Sequence, residues 1–262
     1  MRIHFFKYQG TGNDFVILDN RNNEFSLSKK QVAFLCHRRF GIGADGLMLL
    51  NAHPQYDFEM KYYNSDGAES SMCGNGGRCL VKFAADRGIL KRDYRFLAID
   101  GVHEASVEID GTVSLKMNDV DSVRFDHGKY ILNTGSPHYV DLVDDVLHMD
   151  VVERGRQVRY SDAFKKQGIN VNFVQQTVEP DKIIVRTYER GVEDETYSCG
   201  TGVTAAALVC FHNENGYNRV DVKTKGGDLS VEFDRVDDSY RNIWLIGPAI
   251  KVFEGEIDVK EG

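Results

Sequence analysis

The chain has few means of stapling itself. Its five cysteines, at 36, 73, 79, 199 and 210 among 262 residues, are an odd number in a chain too large to need disulfides, so reduced thiols are expected. No Cys-x-x-Cys or His-x-x-x-His pair occurs, and the step from Cys73 to Cys79 has no common zinc precedent, which argues against a metal site. Positive charge is short as well. With 32 basic against 40 acidic residues the formal charge is -8, the wrong sign for a protein whose main partner is nucleic acid. The longest apolar run, VTAAALVCF at 203 to 211, falls far below the roughly 20 residues that a membrane span requires. The opening MRIHFFKYQGTGNDF reaches a Gly-rich polar turn before any long apolar run, unlike a signal peptide. These absences lead us to expect a cytoplasmic protein with neither nucleic acid nor membrane as partner.

What is present reads as a globular protein, 42% hydrophobic and 27% charged. A single core stops growing efficiently near about 250 residues, so two domains are expected. No Pro- or Ser-rich linker marks a boundary, but an internal repeat does. Thr11-Gly12-Asn13-Asp14-Phe15-Val16-Ile17 resembles Thr134-Gly135-Ser136-Pro137-His138-Tyr139-Val140, and Thr11 lies 62 residues ahead of Cys73 while Thr134 lies 65 ahead of Cys199. Both cysteines open a Cys-Gly-x-Gly. Gly101 and Gly227 each follow their cysteine by 28 residues, and each precedes a Ser-Val-Glu. The repeat places a boundary near residue 118.

Each half shows the same order of elements: strand, turn, strands, a helix opened by a cysteine, then strands. FEMKYYN at 58 to 64 and KIIVRTYE at 182 to 189 alternate as half-buried strands do. RCLVKFAADRG at 78 to 88 and VTAAALVCFHN at 203 to 213 have helical composition and apolar spacing. A further amphipathic helix is expected at 28 to 37, where Ser28 and Gln31 can form a capping box and Val32, Leu35 and Cys36 share a face. The fold class is therefore α+β: two similar, pseudo-symmetric domains, each a mostly antiparallel sheet against a long helix.

Glycines after a helix-opening cysteine let the backbone turn tightly and leave the first N–H groups open to an anion. The same partial positive charge favours the thiolate, the form that acts as base or nucleophile. Two such corners facing one another across a cleft would grip a carboxylate and set a sulfur on either side of its α-carbon. That is the geometry of racemisation, in which one thiolate removes the α-proton and the opposite thiol returns one. A redox dithiol is the competing reading of Cys73 and Cys199, for which Cys-x-x-Cys is the more economical design. Cys36, Cys79 and Cys210 lack the pattern and are expected to fill the core.

The segments GTGNDFVILD at 10 to 19, GIGADG at 41 to 46, YNSDGAESSMCGNGGRC at 63 to 79, Pro137-His138, YERG at 188 to 191 and CGTG at 199 to 202 resemble the diaminopimelate epimerase family along nearly the whole chain. CGTG alone is shared with proline racemases and hydroxyproline epimerases. The resemblance implies an isomerase, a pyridoxal-independent amino-acid epimerase without a cofactor, which interconverts LL- and meso-diaminopimelate for lysine and peptidoglycan synthesis. It implies Cys73 and Cys199 as the catalytic pair, with His138 and Glu189 assisting their deprotonation. It places the reacting carboxylate on the N–H groups of Gly74, Asn75, Gly200 and Thr201, and the distal amino-acid end on Asn13, Asn64, Asn170, Glu189 and Arg190. A homodimer is implied too, as are domains of 1–118 and 119–247 with a last strand at 248–262 that crosses back to complete the first. Ser136 stands where members often have Asn, and Gly46 where some have Gln, so distal recognition is where this chain is expected to differ. A proline-type racemase, an isomerase of the phenazine-biosynthesis type and a catalytically silent binding protein are the alternatives; the two cysteines and the charged YERG segment weigh against them.

Overall fold

The computed structural model describes residues 1–211 and 213–260. The chain forms two compact units, one of Met1–Leu115 with the closing segment from Pro248, the other of Lys116–Gly247. The first contains β1 (Arg2–Gly10), β2 (Asn13–Asn20), α1 (Lys29–Cys36), β3 (Gly46–Asn51), β4 (Phe58–Asn64), β5 (Glu69–Ser70), α2 (Gly74–Asp86), β6 (Asp93–Ala98), β7 (Gly101–Val107) and β8 (Val113–Lys116). The second contains β9 (Arg124–Asp126), β10 (Lys129–Asn133), β11 (Pro137–Leu142), α3 (Val151–Arg159), β12 (Asn170–Gln176), β13 (Lys182–Glu189), β14 (Asp194–Thr196), α4 (Gly200–Val209), β15 (Gly216–Thr224), β16 (Gly227–Val236) and β17 (Ser239–Gly247). The last strand, β18 (Ile250–Asp258), belongs to the first unit.

The repeat holds pairing by pairing. β1 and β2 form an antiparallel hairpin, as β10 and β11 do. β2 then runs parallel to β3, and β11 to β12. Antiparallel β3–β4 and β4–β5 answer to β12–β13 and β13–β14, and the parallel pair β4–β6 answers to β13–β15. The antiparallel run β6–β7–β8 matches β15–β16–β17. β18 pairs antiparallel with β1, which is the place β9 takes beside β10. The Gly101 and Gly227 of the sequence repeat open β7 and β16 directly after two-residue turns, with φ of 124° and 139° that glycine alone adopts readily.

Each unit uses its two helices differently. α1 keeps the capping box of Ser28 and Gln31 and buries Val32, Leu35 and Cys36 against Val16, Leu18, Leu47 and Leu49. α2 and α4 are buried nearly all round, from Gly74 through Ala84 with Lys82 excepted, and from Gly200 through Leu208 with Thr201 excepted. A helix enclosed in this way is the centre of its unit. Of the helix read at 203 to 213, α4 ends earlier, at Val209 with Cys210 as its cap; His212 lies outside the described residues, as do 261 and 262 of the closing segment. Cys36, Cys79 and Cys210 are buried free thiols, each pushed up to about 12 by burial.

The sequence patterns above do not anticipate α3. It is capped by Asp150, whose side chain accepts from the Glu153 amide, and it lays Val151 against Ile169, Val171, Phe173 and Tyr188. Gly155 makes the approach possible, because a β-carbon there would stand 2.3 Å from Tyr188 Cβ. In an open helix Gly→Ala stabilises by about 1 kcal/mol. Here overpacking of about 1–3 kcal/mol outweighs it, so Gly155→Ala is expected to lose stability, by up to about 2 kcal/mol net. A raised urea midpoint in that variant would show that α3 does not depend on the contact.

Candidate active site

In each unit a cysteine is the residue before the central helix. Cys73 and Cys199 are extended, at φ/ψ of -100°/133° and -114°/110°, and neither sulfur caps its helix by a hydrogen bond. The first intrahelical bonds run from Gly77 N to Cys73 O, 2.7 Å, and from Val203 N to Cys199 O, 2.8 Å. The amides of residues 74–76 and 200–202 therefore have no acceptor inside their own helix. Neither first turn carries an acidic side chain, so no carboxylate of the turn itself neutralises the positive end of either helix dipole.

The Thr-Gly turns of the repeat pack on these corners, which explains their spacing from the cysteines. Thr11, in the left-handed region at φ 49°, sets Oγ1 3.5 Å from Asn75 Oδ1. Thr134 Oγ1 donates to Thr201 O at 2.8 Å. Asn75 and Thr201 occupy the same position, two residues past their cysteines.

The first corner has a fixed polarity. Asn13 Nδ2 donates to Asp45 Oδ2 at 2.5 Å, and a carboxylate only accepts, so Asn13 Oδ1 is the atom turned toward Cys73 Sγ, 3.7 Å away, and Asn75 Nδ2, 3.5 Å away. Asp45 is itself held by Arg38, which also forks onto Asp14. Lys7 and Arg38 together hold the Asp14 carboxyl at about 2 against the upward pull of burial. Asn64 ends β4 opposite Gly46, the residue after Asp45, and its side chain is exposed. Gly46 itself has no room for a side chain: a β-carbon would stand 2.5 Å from Tyr62 Cε2. The Tyr62 ring fills the space that a longer residue at 46 would need.

Beneath this corner lies Arg78, fully buried. Its guanidinium donates to Gly74 O at 3.2 Å, Asn75 Oδ1 at 3.1 Å and Thr11 Oγ1 at 3.3 Å. No carboxylate pairs with it among the described residues; burial pulls its pKa down, opposed by negative charge on Cys79 and Cys73. The corresponding residue of α4 is Thr204, whose hydroxyl bonds back to Gly200 O. The two corners thus share a backbone and differ in charge. Arg78 escapes notice in the sequence because an arginine in the second turn of a helix reads as a surface residue; the run of glycines before it, at 74, 76 and 77, was the available signal.

In the second unit His138 and Asn170 are register partners on β11 and β12. Asn170 Nδ2 donates to Ser136 Oγ at 3.0 Å, and Asn170 Oδ1 accepts from Arg190 N at 2.8 Å. Arg190 reaches Gln167 O at 3.1 Å and Ser136 Oγ at 3.4 Å. The hydroxyl at 136 therefore ties together two of the residues expected at the distal end of a substrate. Glu189 closes β13 immediately before Arg190. Cys199 Sγ lies 3.5 Å from Thr201 Oγ1. His138 is wholly buried, and burial, with a smaller push from the Arg190 charge, lowers its pKa to about 3. Among the described residues no group of three or more His, Cys, Asp or Glu is arranged to hold a metal ion, and no helix is long and apolar enough to cross a membrane.

Comparison with known proteins agrees with this organisation. Residues 5–123 and 130–252 match the family model of diaminopimelate epimerase. A diaminopimelate epimerase of Flavobacterium psychrophilum is 48% identical over 96% of this chain and 99% of its own length. One from Aquifex aeolicus is 40% identical over 97% and 98%. Among solved structures, a phenazine biosynthesis protein of the PhzF family from Bacillus anthracis superposes with a TM-score of 0.73 over 99% of this chain and all of its own, at 16% identity. A hydroxyproline epimerase from Agrobacterium vitis superposes at 0.65 over 98% of this chain and 92% of its own, at 13% identity. The structural likenesses carry the two-unit α+β fold, and the sequence relatives carry the assignment: this chain belongs to the diaminopimelate epimerase family.

Proposed function

We propose that the protein interconverts LL- and meso-diaminopimelate without pyridoxal phosphate, with Cys73 and Cys199 as the alternating base and acid. The observation that carries this reading is the doubled corner, a cysteine before a buried helix in each unit with its sulfur unused in capping. Inversion at an α-carbon needs one group on each face. In one direction a thiolate takes the α-proton and becomes a thiol, the carbanion forms, and the second thiol delivers its proton and becomes a thiolate. Charge and protons balance, and the return direction exchanges the roles. The amides of Gly74, Asn75, Gly200 and Thr201 would receive the reacting carboxylate, where negative charge grows as the proton leaves.

The distal end of the substrate is an amino acid, bearing an ammonium and a carboxylate. Arg190 supplies a guanidinium fork for the carboxylate, while Asn170, Asn13, Asn64 and Glu189 supply oxygens for the ammonium. Ser136 supports this end through Asn170 and Arg190. A homodimer and a cytoplasmic location complete the reading and rest on the family relationship.

The test is NMR of the reduced protein with LL-diaminopimelate in heavy water and no added cofactor. Loss of the α-proton signal together with appearance of the meso isomer is the expected result. A folded sample that exchanges no α-proton in diaminopimelate but does so in proline or hydroxyproline would replace the substrate assignment.

A further inference from the structure

We infer that Asn172 is a positioning residue that locks His138 in the neutral form protonated at Nε2, so that the imidazole serves the reaction as a hydrogen-bond donor to an anion rather than as a base. Asn172 is fully buried on β12. Its Nδ2 lies 3.0 Å from Tyr139 O and 3.1 Å from His138 Nδ1, and its Oδ1 accepts from Thr187 Oγ1 at 3.0 Å.

The orientation of the carboxamide is decided by its partners. A peptide carbonyl can only accept, so the atom facing Tyr139 O is the NH₂ group, and the Thr187 hydroxyl supplies the proton for the oxygen. The second N–H of that NH₂ then points at His138 Nδ1, which must accept it. An imidazole that accepts at Nδ1 carries its proton on Nε2. This Nε2 is buried and has no hydrogen-bond partner among the described residues, so a donor is held ready and unused by the protein.

Burial and the nearby cation both disfavour a second proton on the ring. The register partners of His138 are Leu132 and Asn170, both uncharged, and the charged group that acts on it is the cation Arg190. On the side of α4, Asn172 Oδ1 would stand 2.3 Å from a β-carbon at Gly202, and Cys199 Cβ would stand 3.4 Å from the same atom. The locked pair therefore lies next to the cysteine corner. In this tautomer Nδ1 is taken by Asn172 and Nε2 already carries its proton, so the ring has no free basic nitrogen, which departs from the expectation that His138 helps to deprotonate a thiol.

The inference deepens the proposed epimerase reading, yet its test does not depend on turnover. Histidine ring nitrogens labelled with ¹⁵N in the full chain would be followed by long-range proton correlation, the His138 signals being assigned by their loss in His138→Gln. The wild type is expected to show Nδ1 bare and Nε2 protonated, without titration between about pH 5 and 8, where an ordinary histidine changes charge. Asn172→Asp replaces the donor by an acceptor, so Nδ1 should gain a proton and the ring should titrate in that window, with turnover falling by about 10²-fold. A wild-type ring protonated at Nδ1, or titrating near its ordinary value, overturns the inference, and this measurement stands even where Asn172→Asp fails to fold. Unchanged ring signals in a folded Asn172→Asp protein overturn it equally. A locked tautomer in a protein that leaves diaminopimelate untouched would instead count against the substrate assignment alone.

Discussion

Cys73→Ser and Cys199→Ser are each expected to lower epimerisation by about 10³-fold while leaving the fold intact. A serine hydroxyl has nearly the shape of the thiol but does not ionise near neutral pH, whereas a thiol beside a helix N-terminus does so readily. The fold should not suffer, because neither sulfur makes a capping bond to its helix and serine is among the preferred N-cap residues. Unfolding midpoints equal to or above wild type are therefore expected beside the lost activity, which separates loss of chemistry from loss of structure. Each single variant keeps one thiol, able to remove a proton from one face of the α-carbon and return a solvent proton to it. In heavy water one variant should label one isomer without inverting it, the other variant should label the other isomer, and the double variant neither. Wild-type epimerisation by either single variant would end the two-thiol scheme.

The position of these corners was readable in the sequence because it is local. Cys-Gly-x-Gly describes a helix start whose first amides have no acceptor within the helix, and its repetition at a matched distance from a Thr-Gly turn reports that both units build the corner from the same parts. FEMKYYN and KIIVRTYE announced β4 and β13 with their bounds, since alternation is imposed by a sheet with two unlike faces. The unread residues are those whose role depends on what lies beneath them. Arg78 looks like a surface residue until α2 is seen to be enclosed, and Asn172 looks like the polar face of a strand until α4 is seen to cover it. α3 was hidden for a related reason: VVERGRQVR carries a glycine and little apolar character, and it is helical here because Gly155 lets it close onto Tyr188. In each case tertiary packing overrides the local pattern.

Gly202→Ala should be the most damaging single-methyl change in the second corner, and Gly76→Ala, at the equivalent position of the first, should be mild. The two glycines each stand three residues past a catalytic candidate, on helices of the same kind. What they meet differs. A β-carbon at 76 would come within 3.3 Å of Met48 Sδ and 3.4 Å of the Phe15 ring, a thioether that can turn aside and a ring edge at ordinary contact. At 202 it would stand 2.3 Å from Asn172 Oδ1, and that carboxamide cannot yield without losing Thr187, Tyr139 O or His138 Nδ1. Overpacking costs about 1–3 kcal/mol, and breaking the bonds of a buried amide adds about 1–3 kcal/mol. Less about 1 kcal/mol of helix propensity, Gly202→Ala should therefore lose about 1–5 kcal/mol of stability, whereas Gly76→Ala should stay within about 1 kcal/mol of wild type because the same propensity offsets its small crowding. Urea unfolding of the two variants side by side checks the difference. Gly202→Ala should also release His138 from its single tautomer, so its folded fraction should be slow, while that of Gly76→Ala should turn over at close to the wild-type rate. Equal losses in both would mean that the helix start itself, common to the two units, sets the sensitivity; a loss confined to position 202 assigns it to Asn172, against which position 202 packs where position 76 packs against Met48.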